Sequence, residues 1–179
     1  MKLRLALAFA AVAIVAAAAG IYVSYWQTSA TPFGRAAKPK PIPELRFVDG
    51  AGRALSLADF RGKVVLLNIW ATWCPPCKIE MPSMERLHQK LAGTDFQLVA
   101  VSVDEEDSSV VNKFVKEYGL TFPVLHNQDG SIRQIYQTTG VPESFVIDRD
   151  GVIVKKVIGA ADWDAPVNEN LIRRLLDAR

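Results

Sequence analysis

The sequence predicts an α/β fold, a central mixed β-sheet flanked by helices, and three observations carry that expectation. Val64 to Trp70 (VVLLNIW) is a near-continuous apolar run of strand length, as a strand buried on both faces should be. Strand-like and helix-like segments alternate after it, which is the pattern of a sheet with parallel neighbours. Near the C-terminus, Ser144 to Ile147 and Val152 to Ile158 flank Asp148-Arg149-Asp150-Gly151. That reads as an antiparallel hairpin and makes the sheet mixed.

The elements follow in order. Arg46-Phe47-Val48 and Ala54-Leu55 flank Asp49-Gly50-Ala51-Gly52, an N-terminal β-hairpin. After the buried strand, Met81, Met84, Leu87 and Leu91 recur at helical spacing until Gly93. Phe96 to Val103 is the next strand. Val110, Val111, Phe114, Val115 and Tyr118 form a second helical stripe, closed by Gly119. A short segment at Pro123 to Leu125 and a helix around Ile132 to Tyr136 lead into the hairpin. Asp164 to Ala178 is the last helix, with Val167, Leu171, Ile172, Leu175 and Leu176 on one side. His88 is expected on an exposed helix face and His126 in a loop.

Three regions divide the chain: 1–26, 27–43 and 44–179. Leu5 to Val23 carries no charged side chain, and 19 residues of helix rise about 28 Å, the thickness of a bilayer's hydrocarbon core. Lys2 and Arg4 precede it directly, while Tyr22, Tyr25 and Trp26 lie at its far end. The positive-inside bias places the N-terminus in the cytoplasm and the body outside. A signal anchor is therefore expected, a single transmembrane helix; a cleaved signal peptide is the alternative, and it exports the body too. Pro39, Pro41 and Pro43 mark residues 27–43 as an extended linker. The folded body then begins near Glu44.

Charge and composition exclude several classes. Of 21 Lys and Arg, only Lys2, Arg4 and Arg35 precede residue 36, which leaves 18 cations against 19 anions in the rest. The body has no basic stripe, so nucleic acid is not an expected partner. Half of the chain is apolar, which excludes a disordered body. Cys74 and Cys77 are the only cysteines, so a multi-disulfide scaffold is excluded as well.

Those two cysteines carry the chemistry. Trp73-Cys74-Pro75-Pro76-Cys77 joins the buried strand to a helix, the setting in which Cys-x-x-Cys reads as a redox pair. Cys74 is expected at the N-cap, where free backbone N–H groups and the helix dipole favour a thiolate. Cys77 lies one turn on, placed to close a small disulfide ring. This makes Cys74 the nucleophile and Cys77 the resolving thiol. Pro75 and Pro76 are tolerated in a first turn but remove two N–H donors near Cys74. The thiolate is then only moderately stabilised, so a reducing pair is expected. A structural staple closes too short a loop to matter much. Half a zinc site lacks its second pair, and His88 and His126 lack finger spacing.

The stretch N-I-W-A-T-W-C-P-P-C-K-x-E-M-P, with G-V-P-E-S-F-V-I-D later in the chain, resembles the thioredoxin superfamily. Within it, the body is similar to the membrane-anchored TlpA/ResA-like thiol–disulfide oxidoreductases. The resemblance implies a thioredoxin-like fold with an N-terminal β-hairpin and an inserted helix and strand. It implies an extracytoplasmic, periplasmic protein-disulfide reductase, often serving cytochrome c biogenesis by reducing the haem-site cysteines of apocytochrome. Thiol–disulfide exchange needs no organic cofactor and no metal. Its electrons come from a membrane thiol transporter, beside which an inner-membrane anchor would hold the domain. Val141 and Pro142 match the cis-proline site, where an X–Pro bond makes a cis peptide inexpensive. The backbone of Val141 is then free to pair with an extended substrate segment.

Further site residues follow from the same resemblance. Asn68 stands where thioredoxin itself carries a buried Asp, and an amide is no useful proton acceptor. The resemblance gives Glu80 a role in tuning the cysteines as a partly buried proton acceptor, the alternative being a solvated helix face. Glu143 lies where it would select substrates, or where a strand simply begins exposed. Trp70 and Trp73 would shield the disulfide and, with Pro75 and Pro76, offer an apolar landing surface; the alternative for Trp70 is the core. Two other readings stay open here, a peroxiredoxin-like thiol peroxidase and a non-enzymatic module binding metal or unfolded chains.

Overall fold

Every residue of β3 (Val64–Trp70) is buried, and the apolar run forms an interior strand of a seven-stranded sheet. The computed structural model describes residues 46–49 and 54–178. The expected anchor (1–26), linker (27–43), domain start and first hairpin turn lie outside the described residues. Among the described residues, no helix is long and apolar enough to cross a membrane.

The strands are β1 (Arg46–Asp49), β2 (Ala54–Ser56), β3, β4 (Phe96–Ser102), β5 (Val124–His126), β6 (Glu143–Ile147) and β7 (Ile153–Ile158). They lie in the order β2-β1-β5-β4-β3-β6-β7. The β3–β4 and β4–β5 pairs are parallel, whereas β3–β6, β6–β7, β1–β2 and β1–β5 are antiparallel. The mixed sheet expected from the sequence is present, and the fold is thioredoxin-like.

The parallel pairs require crossovers, and helices supply them. α1 (Pro75–Lys90) joins β3 to β4, and α2 (Ser108–Tyr118) joins β4 to β5. α3 (Ser131–Tyr136) precedes β6, and α4 (Pro166–Asp177) closes the chain. α1 buries Met81, Met84 and Leu87, the predicted stripe, and adds Cys77, Glu80 and Ser83 to it. Asp107 caps α2 by accepting the Ser109 N–H at 2.7 Å, and Gly119 ends it in the left-handed region.

Several expectations are corrected. The last helix starts at Pro166, because Pro at the first helical position sets φ in advance, while the Asp164 carboxylate is held by Arg86 at 2.7 Å. Val167 is 69% exposed and does not share the buried side of Ile172. His88 is half-buried, edge-on to Phe122 at 6.0 Å. His126 closes β5, with Nε2 2.8 Å from the Asp104 carbonyl oxygen. Trp70 is fully buried against Phe114, with ring centroids 4.7 Å apart. It is core and offers no landing surface.

Gln137 ends α3 at φ 51°, ψ 48°, left-handed backbone in which a Cβ is crowded. Gln137→Gly removes that crowding and is expected to raise the unfolding free energy by about 0.5–1 kcal/mol. Urea denaturation checks this; a lowered midpoint contradicts it.

Candidate active site

The site sits where β3 ends and α1 begins. Cys74 is the N-cap of α1 in extended conformation, and Pro75 and Pro76 occupy the first helical positions. The Cys77 N–H donates to Cys74 Sγ at 3.2 Å, the one contact of this kind that the prolines leave open. Cys74 and Cys77 form a disulfide, with Cα atoms 5.3 Å apart. Cys74 keeps 2% exposure and Cys77 none, so the outer sulfur is the one that can be approached.

A second segment closes over the pair. The Val141–Pro142 bond is cis, as expected, and the Val141 carbonyl oxygen lies 3.5 Å from Cys74 Sγ. Two sulfurs joined at a helix start, with the Val141 backbone beside the outer one, form an arrangement that can exchange disulfides.

Comparison with known proteins agrees. The Redoxin family profile matches residues 37–172. The thiol-disulfide oxidoreductase ResA of Bacillus thuringiensis subsp. konkukian is 41% identical over 120 residues, 67% of this chain and 69% of the relative. ResA of Bacillus subtilis is 38% identical over 117 residues, 65% of each chain.

The chain belongs to the Redoxin family, as a ResA-like thiol–disulfide oxidoreductase.

Solved structures support the fold of this oxidoreductase. StoA from Bacillus subtilis superposes with a TM-score of 0.62 at 27% identity, over 76% of this chain and 98% of StoA. A thioredoxin-family thiol:disulfide interchange protein from Chlorobium tepidum gives 0.67 at 30%, over 78% and 98%.

Around the disulfide, the oxidoreductase buries a carboxyl. Glu80, one turn past Cys77, is 1% exposed, which removes the solvated-face alternative and exceeds the partial burial expected. Its Oε1 accepts the Asn68 Nδ2–H at 2.8 Å. Its Oε2 accepts the Ala161 N–H at 3.2 Å and the Trp163 indole N–H at 3.3 Å. Burial pushes its pKa up to about 7, and these three hydrogen bonds only partly oppose the rise. Asn68 also donates to Ser144 Oγ at 2.9 Å, its register partner on β6. Asn68 thus holds Glu80 from the sheet.

Sequence reasoning missed Trp163 and Ser83. Ser83 Oγ accepts the Trp163 N–H at 3.0 Å, a second tie between α1 and the loop before α4. The available signal was a lone Trp in the polar stretch Asp162-Trp163-Asp164, since a buried indole needs an acceptor.

The expected substrate-binding residues separate. Trp73 is 58% exposed, and Pro75 and Pro76 are exposed beside it. Val141 is half-buried and Pro142 buried. Ile79 and Ile158, which sequence reasoning did not single out, add exposed apolar surface on α1 and at the end of β7. Glu143 is not the exposed strand start that was one of its two expected readings. It is fully buried, with Oε1 accepting from Thr139 and Oε2 paired to Lys156 at 2.8 Å. The Thr72 hydroxyl, two residues before Cys74, donates to Asp104 Oδ1 at 2.6 Å.

Glu80 sets a pH dependence of known sign. Its folded pKa lies above the unfolded value of 4.5, so the folded state holds the proton more tightly. Stability is full below pH 4.5, declines as pH rises towards about 7, and is flat above. Relative to Glu80→Gln, the oxidised wild type should lose roughly 2–3 kcal/mol across that window. Denaturant titrations between pH 4 and 8 measure this, and parallel curves for the two proteins contradict it.

Proposed function

We propose that the chain is a membrane-anchored extracytoplasmic reductase of protein disulfides, with the haem-site cysteines of apocytochrome c as the client class. The observation that carries the reading is the Cys77 N–H at Cys74 Sγ, with Pro75 and Pro76 silencing the neighbouring donors. One helix-end donor lowers a thiol's pKa without making the thiolate very stable. Such a pair gives electrons more readily than it takes them.

In the reduced enzyme, the Cys74 thiolate attacks one sulfur of the client disulfide. That S–S bond breaks, and the departing client thiolate takes up a proton. Cys77 then loses its proton, and its thiolate attacks Cys74 Sγ in the mixed disulfide. The second client thiolate leaves and is protonated, and the enzyme is left as the Cys74–Cys77 disulfide. Two electrons pass to the client. Glu80, buried one turn from Cys77 with a pKa of about 7, is suited to take the Cys77 proton in the second step. Trp73 and the two prolines receive the client segment, and the Val141 backbone pairs with it. A dithiol of a membrane thiol transporter restores the reduced state. Residues 5–23 are the anchor that holds the domain near that transporter, and residues 27–43 are its tether.

Cys77→Ser removes the resolving thiol and leaves the nucleophile. In cells, the variant should accumulate as a disulfide-linked adduct through Cys74, with c-type cytochrome chains among the trapped partners. Absence of any adduct overturns the exchange mechanism; adducts without such chains overturn the client class alone. A reduction potential near the strongly oxidising end, about −120 mV, would contradict the reducing direction.

A further inference from the structure

We propose that the ion pair between the buried Glu143 and the partly exposed Lys156 is a clamp on the loop from Thr138 to Pro142. It is a positioning device that fixes the backbone of Val141 beside Cys74 and does not itself touch the client. The clamp stands on geometry alone. Its effect on substrate rests on the reading above that clients lie along Val141.

Glu143 begins β6, directly after the cis bond, and its side chain is fully buried. Phe145, two residues on, shares its face of the sheet. Lys156 on β7 is the register partner of Phe145, so it meets Glu143 on the diagonal of the antiparallel pair. Its Nζ lies 2.8 Å from Glu143 Oε2 and 5.3 Å from the centre of the Phe145 ring. The same ammonium donates to the Gln137 carbonyl oxygen at 3.2 Å. The other carboxylate oxygen, Oε1, accepts both the N–H and the hydroxyl of Thr139, each at 2.7 Å.

The loop is therefore gripped before it starts, at Gln137, within it, at Thr139, and where it ends, at Glu143. On the outer side the Pro142 carbonyl oxygen accepts the Gly159 N–H at 2.9 Å. Oε1 of Glu143 is taken by the Thr139 donors, and Oε2 is ion-paired with Lys156. Burial raises the Glu143 pKa, but Lys156 and Thr139 outweigh it and hold the carboxyl below the usual carboxylate range. Removing Lys156 leaves the Glu143 carboxylate buried without its cation, and removing the Glu143 charge takes away the acceptor that holds the Thr139 end of the loop. Gly140 and Val141 would then sample several positions over the sulfur. A client would pay the cost of ordering them on binding.

The experiment uses the full-length chain in detergent, with Glu143→Gln and Lys156→Met. Lys156 is one-third exposed, so its variant keeps the test open should Glu143→Gln fold poorly. Hydrogen exchange at the amides of Thr139 to Val141 reads the clamp directly. Both variants should speed it by about tenfold or more. The second readout is reduction of an internally disulfide-bonded Cys-Ala-Ala-Cys-His peptide. Both should raise KM by about tenfold and leave kcat within about twofold. Unchanged exchange in either folded variant overturns the clamp. A raised KM in Glu143→Gln alone, with Lys156→Met at wild-type KM, also overturns it, because the carboxylate would then act on the substrate itself. Lower stability with unchanged exchange and KM reduces the pair to a structural role and overturns the proposal. If the wild type fails to reduce the peptide, the client reading fails instead, and exchange still decides the clamp.

Discussion

One hydrogen bond at the start of a helix organises this oxidoreductase. Cys74 caps α1 and accepts the Cys77 N–H, so the sulfur that must become an anion sits where the backbone supplies a donor and the dipole its positive end. The fold serves that placement. β3 is buried on both faces and cannot shift, and it delivers Cys74 at the end of the sheet where α1 must begin. Prolines at the next two positions keep the helix start intact while limiting how many donors reach the sulfur. The same short stretch thus fixes the geometry and moderates the thiolate.

Around that point, two buried carboxyls do different work. Glu80 has three neutral donors and no cation, so burial dominates and the carboxyl holds its proton to about pH 7. Glu143 has a cation at 2.8 Å, so it is charged over the same range and acts as an anchor. Both lie fully or almost fully out of solvent. The difference between them comes from the partner, Asn68 and Trp163 for one and Lys156 for the other. Glu80 also joins the active-site helix to the loop at Ala161–Trp163. Its protonation is therefore tied to how that loop packs against α1.

The sheet, the helices and the redox pair were legible in the sequence because each depends on local pattern. Apolar runs gave the strands, periodic Met and Leu residues gave α1, and the spacing of Cys74 and Cys77 gave the disulfide. The cis bond before Pro142 was legible only through the resemblance of its motif, because X–Pro chemistry permits a cis bond without requiring one. What was not legible depends on tertiary partners. Glu143 was expected at a groove or on an exposed edge, and only the β6–β7 register brings Lys156 to it. Asn68 was dismissed as a proton acceptor; its role as a donor to Glu80 needs α1 folded back against β3. Val167 fitted the apolar stripe of α4 by spacing, yet it lies in the helix's first turn, past the edge of what the sheet covers.

The most direct test of this account is a pH titration of thiol reactivity in the fully reduced full-length protein. The rate of iodoacetamide alkylation would be followed at Cys74 and Cys77 separately by mass spectrometry. Placement at the N-cap predicts that Cys74 reacts first, with its midpoint below the roughly 8.5 of an unperturbed cysteine, and that Cys77 titrates higher. A Cys74 midpoint at or above that of a free cysteine, or earlier reaction at Cys77, would contradict the account at its root.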